Sequence, residues 1–105
     1  MRCYFLVTVD ERDQLTGCPS VPTPRGGLVV LFPSENENMQ VIARYIVDRQ
    51  PEGQSIRSMY VDASSPKKVV REIKKTFLDM NYCLFLMDSD PYVTQAIAIL
   101  RRMGR

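Results

Sequence analysis

The alternation of apolar runs with amphipathic segments, which begins at residue 27, is the feature that most constrains the fold. Unbroken apolar runs occupy 27–32 and 82–87, and a run diluted by polar residues occupies 56–61. Each run precedes a segment with the periodicity of an amphipathic helix, and these predicted helices span 35–49, 66–80 and 91–103. Because a strand is followed by a helix three times, the pattern predicts an α/β domain with parallel strands and right-handed crossovers.

A further strand is predicted near the start of the chain, where residues 3–9 are largely apolar on both sides of an extended backbone. The predicted fold class is therefore α/β, with a small mixed or mainly parallel four-stranded sheet and three helices in the order β-β-α-β-α-β-α. Its best-defined strand is 82–87, which we place at the centre of the sheet. The alternative is a two-layer α+β ferredoxin-like sandwich, which needs a helix between the first two strands.

Residues 10–26 separate the first two predicted strands and are rich in proline and glycine. Pro19, Pro22 and Pro24 remove backbone donors and fix φ within a short stretch, so no periodic structure is predicted there. A loop of this length in a compact domain is either functional or mobile. With 105 residues the chain has the size of one domain, 1–105, which carries this long loop.

The absence of histidine narrows the chemistry that this chain can perform. It excludes His-dependent triads, Cys-His catalysis and zinc sites built on histidine. The three cysteines are widely spaced and odd in number, which favours a reduced, cytoplasmic protein over a disulfide framework. No stretch approaches the length of a transmembrane helix, and the net charge of +2 does not by itself indicate membrane or nucleic-acid binding.

Carboxylates follow the predicted strands at the edge of the sheet where ligands of parallel α/β domains usually bind. Four of them are candidate metal ligands: Asp88, Asp90, Asp62 and Glu35. Oxygen ligands suit Mg²⁺, which can activate water or hold a phosphate, so Mg²⁺ is the candidate cofactor if one is bound. The alternative is that these residues cap helices, for which Asp90 in front of Pro91 is well placed.

The sequence Asp88-Ser89-Asp90 after an apolar strand resembles the second acidic motif of Toprim domains. That family handles nucleic-acid phosphodiesters with Mg²⁺, so the resemblance implies phosphodiester chemistry at these carboxylates. Phe32 and Pro33 stand where the family places a glutamate at the end of an earlier strand, and the resemblance is confined to the short acidic motif.

Positive charge is concentrated on the predicted helix 66–80 and near the end of the chain. The candidate contacts for phosphate or nucleic acid are Lys67, Lys68, Arg71, Lys74, Lys75, Arg101 and Arg102. If helices 66–80 and 91–103 share a face of the sheet, these side chains form one basic patch. The alternative is a solvated helix face, and the chain lacks the interleaved aromatic residues typical of RNA-binding sheets.

The long loop offers a third candidate surface, because apolar residues and prolines are mixed there. The candidate partner-binding residues are Leu15, Cys18, Val21, Pro22 and Pro24. Since no catalytic set is evident, we predict a small cytoplasmic binding or regulatory module that acts through protein–protein interaction, with a homodimer as one assembly. The alternatives are a Mg²⁺-dependent phosphodiester- or phosphate-handling enzyme and nucleic-acid binding through helix 66–80.

Overall fold

The computed structural model describes residues 1–104, which form six strands and three α-helices. The strands are β1 (Arg2–Val9), β2 (Leu15–Gly17), β3 (Val21–Thr23), β4 (Gly26–Leu31), β5 (Ser55–Asp62) and β6 (Leu84–Met87). The helices are α1 (Glu37–Val47), α2 (Pro66–Thr76) and α3 (Pro91–Met103), with a 3₁₀ helix at Leu78–Tyr82. The three predicted helices are thus confirmed as elements of a small domain that combines helices and sheets.

The strands form two small sheets, and the predicted single four-stranded sheet is wrong. One sheet has the order β2-β1-β5, and the other has the order β3-β4-β6. β1 pairs with β5 in antiparallel fashion along its whole length, whereas β4 and β6 are parallel. The sheets meet where Tyr4 and Phe32 exchange backbone hydrogen bonds of 2.7 and 2.9 Å. Because β2 pairs with the end of β1 and β3 with the start of β4, these short strands occupy the edges along which β1 and β4 would otherwise pair.

The helices pack against both faces of the sheets. Neighbouring residues of β4 alternate between two apolar clusters, with Val30 in the first and Val29 and Leu31 in the second. The first cluster receives the buried side chains of α1 and α3, which are Met39, Ile42, Ile46, Val93, Ile97 and Leu100. The second receives those of α2, which are Val69 and Ile73. α2 therefore lies on the opposite side of the sheets from α1 and α3.

Each helix begins at a residue whose side chain caps it. The side-chain oxygens of Asn36 and Ser65 accept hydrogen bonds from the amide three residues later, at 3.2 and 3.4 Å. Asp90 accepts from the amide two residues later, at 2.9 Å. Pro66 and Pro91 then occupy the first helical position, where the missing N–H costs nothing. The helix starts are therefore encoded locally.

The strand predicted at the centre of the sheet is instead at its edge. β6 covers only Leu84–Met87 and, within residues 1–104, pairs with β4 alone. Tyr82 lies in the 3₁₀ helix and is 72% exposed. The apolar run is misleading because β6 packs side chains into both clusters while only one of its backbone edges is paired.

The segment 10–26, predicted to lack periodic structure, contains β2 and β3. β2 pairs with Thr8 and Val9 of β1, and β3 pairs with the start of β4. Pro22 lies within β3, opposite Gly27. A short strand with one partner uses only every second N–H, so it can accommodate a proline. The prolines and glycines of this segment indicate a loop and give no signal of these strand pairings.

Candidate functional site

Asp88 and Asp90, two of the predicted metal ligands, lie in the turn from β6 to α3, and each has a protein partner. Asp88 accepts a hydrogen bond of 2.9 Å from the side-chain amide of Asn36, the capping residue of α1. Asp90 caps α3. Asp90 therefore has the capping role that the sequence offers as the alternative, whereas Asp88 connects this turn to the start of α1 through Asn36.

Asp62 and Glu35 lie elsewhere. Asp62 forms an exposed ion pair of 3.2 Å with Arg2, and the hydrogen bond it accepts raises the pKa of that guanidinium. Glu35 is exposed in the link before α1. Within residues 1–104, no group of three or more histidine, cysteine, aspartate or glutamate side chains is arranged to hold a metal ion. Mg²⁺ binding by the four candidate ligands stays a prediction.

Replacing Asp90 by alanine separates the two roles considered for this carboxylate. As a cap, its loss is expected to lower the free energy of unfolding by about 1 kcal/mol without any metal present. The measurement is urea denaturation with chelator, and Ser89→Ala, at the exposed neighbouring position, is the control. An unchanged stability in chelator, with a Mg²⁺-dependent stabilisation of the parent protein that the variant lacks, would identify a ligand and not a cap.

The predicted basic patch is divided between two faces of the molecule. The five cations of α2 are Lys67, Lys68, Arg71, Lys74 and Lys75, and all but the partly buried Lys74 are exposed. Arg101 and Arg102 belong to α3, on the other side of the sheets, and Arg101 donates to Asn38 at 3.0 Å. The condition for a single merged patch, that α2 and α3 share a face, is therefore not met.

The predicted docking residues of the long loop are also divided. Cys18 and Val21 are buried, with 8% and 5% of their surface exposed, and they join the two core clusters. Leu15, Pro22 and Pro24 are exposed. Two of the five candidate docking residues thus belong to the protein's own core, and the other three remain on the surface.

Cys18 behaves as an apolar core residue. Its thiol donates to the carbonyl of Leu6 at 3.4 Å. Burial, with a smaller contribution from the nearby Cys83 thiol, raises the pKa of Cys18 to about 12. Burial also raises the pKa of Cys3. Since the thiolate is the reactive form, neither residue is suited to act as a nucleophile at neutral pH.

A groove that the sequence did not predict runs between α2 and β6. It has a volume of about 470 Å³ and is lined by Leu31, Pro66, Lys67, Val70, Phe85, Leu86, Met87, Ser89 and Asp90. A hollow of about 450 Å³ continues it along α2, shares Lys67 and Val70, and reaches Leu78, which is 77% exposed. We call the two together the α2–β6 groove. Its floor is apolar, and one wall carries cations.

The outer edge of β6 borders this groove, and some of its backbone groups have no partner among residues 1–104. The amide of Asp88 donates to the carbonyl of Leu31 in β4 at 2.9 Å. Since alternate residues of a strand direct their N–H and C=O groups to opposite edges, Phe85 and Met87 direct theirs away from β4. The Met87 carbonyl is used by the amide of Asp90 at 3.0 Å. Within residues 1–104, this leaves the Phe85 N–H, the Phe85 carbonyl and the Met87 N–H facing outward.

The wall of the groove that α2 forms is mainly positively charged. α2 carries five cations and one carboxylate, Glu72, which pairs with Lys75 at 3.1 Å. The ammonium of Lys74 lies 5.6 Å from the centroid of the Phe85 ring, so it reaches over the floor. Asp90, at the far end, is the carboxylate in the lining. The wall therefore attracts negative charge along α2 and repels it beside Asp90.

A larger hollow of about 800 Å³ lies beside α1, and its lining has charges of both signs. Asp48 interrupts its cations, which include Arg44 and Arg49. The Arg49 guanidinium is already engaged, because it stacks 3.7 Å from the centroid of the Tyr45 ring and donates to the Tyr45 carbonyl at 3.0 Å. The α2–β6 groove is the better candidate, since it combines an apolar floor, a row of cations and a free strand edge.

Only the cations of this groove had a signal in the sequence, as one face of an amphipathic helix. Within residues 1–104, no helix is long and apolar enough to cross a membrane. Comparison with protein-family models, with curated proteins and with solved structures gives no match for this chain.

Proposed function

We propose that this protein is a binding module that takes up an extended segment of another protein by strand addition to β6. The observation that carries the proposal is the free edge of β6, where Phe85 and Met87 present backbone donors and an acceptor next to an apolar groove. An extended peptide satisfies such groups with its own backbone, while its alternate side chains enter the neighbouring groove.

The surroundings of β6 support this use of the edge. Leu84 and Leu86 pack into the cluster formed with α1 and α3, and β6 is in register with β4 over all four of its residues. The edge is therefore held in place before a partner arrives, which lowers the ordering cost of binding. Phe85 and Met87 are only half-buried on the α2 side, so a bound segment would cover more of them.

Binding is better supported than catalysis by the same side chains. The carboxylates beside the groove are engaged by helix starts, with Asp88 on Asn36 and Asp90 on the first turn of α3. The chain has no histidine to act as a base. The features left without an internal role are the strand edge, the apolar floor and the cations, and all three are suited to recognition.

Replacing Met87 by proline is expected to weaken strand addition strongly while β6 stays paired with β4. The Met87 N–H faces outward, so proline removes a donor that a partner uses and none that β4 uses. The probe is a display library of random linear peptides, selected on the parent protein and on the variant. We expect the parent to enrich a set of peptides whose binding the proline variant reduces at least about tenfold, since edge hydrogen bonds and register are lost together.

Met87→Ala is the matched control, because it removes the same side chain and keeps the N–H. Its enriched peptides should overlap those of the parent protein. Circular dichroism and urea denaturation of both variants verify that they fold. Equal enrichment on the proline variant, or no enrichment on the parent, would contradict strand addition at this edge.

A further inference from the structure

We infer that the segment bound on β6 is acidic, with carboxylates on the side chains that face α2 and none beside Asp90. This inference rests on the proposed strand addition and adds the chemistry of the partner. It follows from the charges of the groove wall, their spacing along α2 and the position of the carboxylate at the end of the groove.

The wall has more positive charge than the protein itself neutralises. Of the five cations of α2, Lys75 is paired with Glu72. Within residues 1–104, the other four have no carboxylate partner within ion-pair distance: Lys67, Lys68, Arg71 and Lys74. Three of these four line the groove. A neutral or basic segment would leave this charge unmatched, whereas an acidic one would complement it.

The spacing of the three lining cations fits an extended chain. Lys67, Arg71 and Lys74 are separated by four and three residues, which places them about 6 and 4.5 Å apart along the helix axis. Side chains on one face of a strand recur about every 6.7 Å. Lys67 lines the groove together with Phe85 and Met87, and the Lys74 ammonium lies 5.6 Å from the Phe85 ring centroid, so the row of cations runs beside β6. Carboxylates at every second position can therefore each approach a cation.

Asp90 limits where the acidic residues can lie. It lines the groove beyond Met87 and is held there as the cap of α3. A carboxylate of the partner at this end would meet a like charge, which is unfavourable. The acidic stretch is therefore expected between the levels of Lys67 and Lys74, with an uncharged residue at the Asp90 end.

A polypeptide fits these features better than a nucleic acid does. The outward N–H and C=O groups of Phe85 match the alternating groups of another peptide backbone. The floor beside them is apolar at Val70 and Phe85, so it suits the apolar side chains of a peptide better than a charged sugar-phosphate backbone. The cations that line the groove all belong to α2, and Arg101 and Arg102 lie on the other face of the molecule.

The test uses two synthetic fluorescein-labelled peptides measured by fluorescence anisotropy. One alternates glutamate with valine and ends in uncharged residues, and the other has glutamine in place of each glutamate. Since each exposed ion pair contributes about two- to fivefold in affinity, we expect the glutamate peptide to bind the parent protein about tenfold more tightly. Added salt should reduce this preference.

The charge-reversal variant is Lys67→Glu with Lys74→Glu, and its matched control is Arg101→Glu with Arg102→Glu on α3. The first should abolish or invert the preference for glutamate, and the second should keep it. Both change the net charge equally, so long-range attraction alone predicts the same result for both. An equal loss of preference in the two variants would overturn the inference.

Two further outcomes separate this inference from the proposed function. If both peptides bind with equal affinity and Met87→Pro weakens both, strand addition stands and the acidic preference is wrong. If Met87→Pro changes the affinity of neither peptide, the proposed function itself fails. Tighter binding of a single-stranded oligonucleotide than of the glutamate peptide, lost on reversal of Lys67 and Lys74, would also overturn the inference in favour of a nucleic-acid partner.

Discussion

Replacing Phe32 by alanine is expected to lower the free energy of unfolding by about 3–5 kcal/mol, as for other large-to-small changes in a packed core. Phe32 is completely buried and belongs to the cluster shared with α1 and α3. Its backbone also makes the bridge to Tyr4 that connects the two sheets. The truncation leaves a cavity at the point where both sheets and two helices meet, so the surroundings have little freedom to collapse into it.

Urea denaturation followed by circular dichroism measures this effect. Leu78→Ala is the control, since Leu78 is 77% exposed and its truncation should change stability by less than about 0.5 kcal/mol. A loss below about 1.5 kcal/mol for Phe32→Ala would mean that the junction of the two sheets is not closely packed.

The second large effect is expected at alkaline pH, through the buried thiol of Cys18. Its ordinary pKa is 9.0, and burial raises the folded-state pKa to about 12. Above pH 9 the unfolded chain loses this proton while the folded protein keeps it, so the folded state binds more protons and becomes less stable as pH rises. The contribution is complete below pH 9 and declines by about 1.4 kcal/mol per pH unit until about pH 12.

Cys18→Ala removes this contribution and leaves every other titrating group in place. The free energy of unfolding, measured by urea between about pH 8 and 11, should fall more steeply for the parent protein than for the variant. Below pH 9 the two curves should differ only by the constant cost of the lost side chain. Above pH 9 the stability advantage of the parent protein should shrink as pH rises. Parallel curves over this range would show that folding does not raise the pKa of the Cys18 thiol.

Local features of the fold could be predicted from the sequence. Ser65 with Pro66 and Asp90 with Pro91 mark the starts of α2 and α3, because capping depends on side chains within a few residues of the helix. The amphipathic pattern of α2 also identified the cations that line the groove. These signals depend on residues that are close together in the chain, so they can be read from a single sequence.

Pairing between distant strands could not be predicted in the same way. The apolar run at β6 reports that its side chains are covered on both faces, but it does not report whether one or both backbone edges are paired. For this reason the run predicts a central strand, and nothing in it indicates the free edge of β6. The groove depends on that edge and on the position of α2 above it, which are both tertiary facts.

The residues of β2 and β3 also affect how the chain reaches its native state. β1 with β5 and β4 with β6 each join segments far apart in the sequence, so forming them first requires the closure of a long loop. β1 with β2 and β3 with β4 are local hairpins and close at much lower entropic cost. The segment 10–26 therefore allows both sheets to start from hairpins with a low entropic cost of closure. Substitutions there are expected to change the rate of folding more than those in β6.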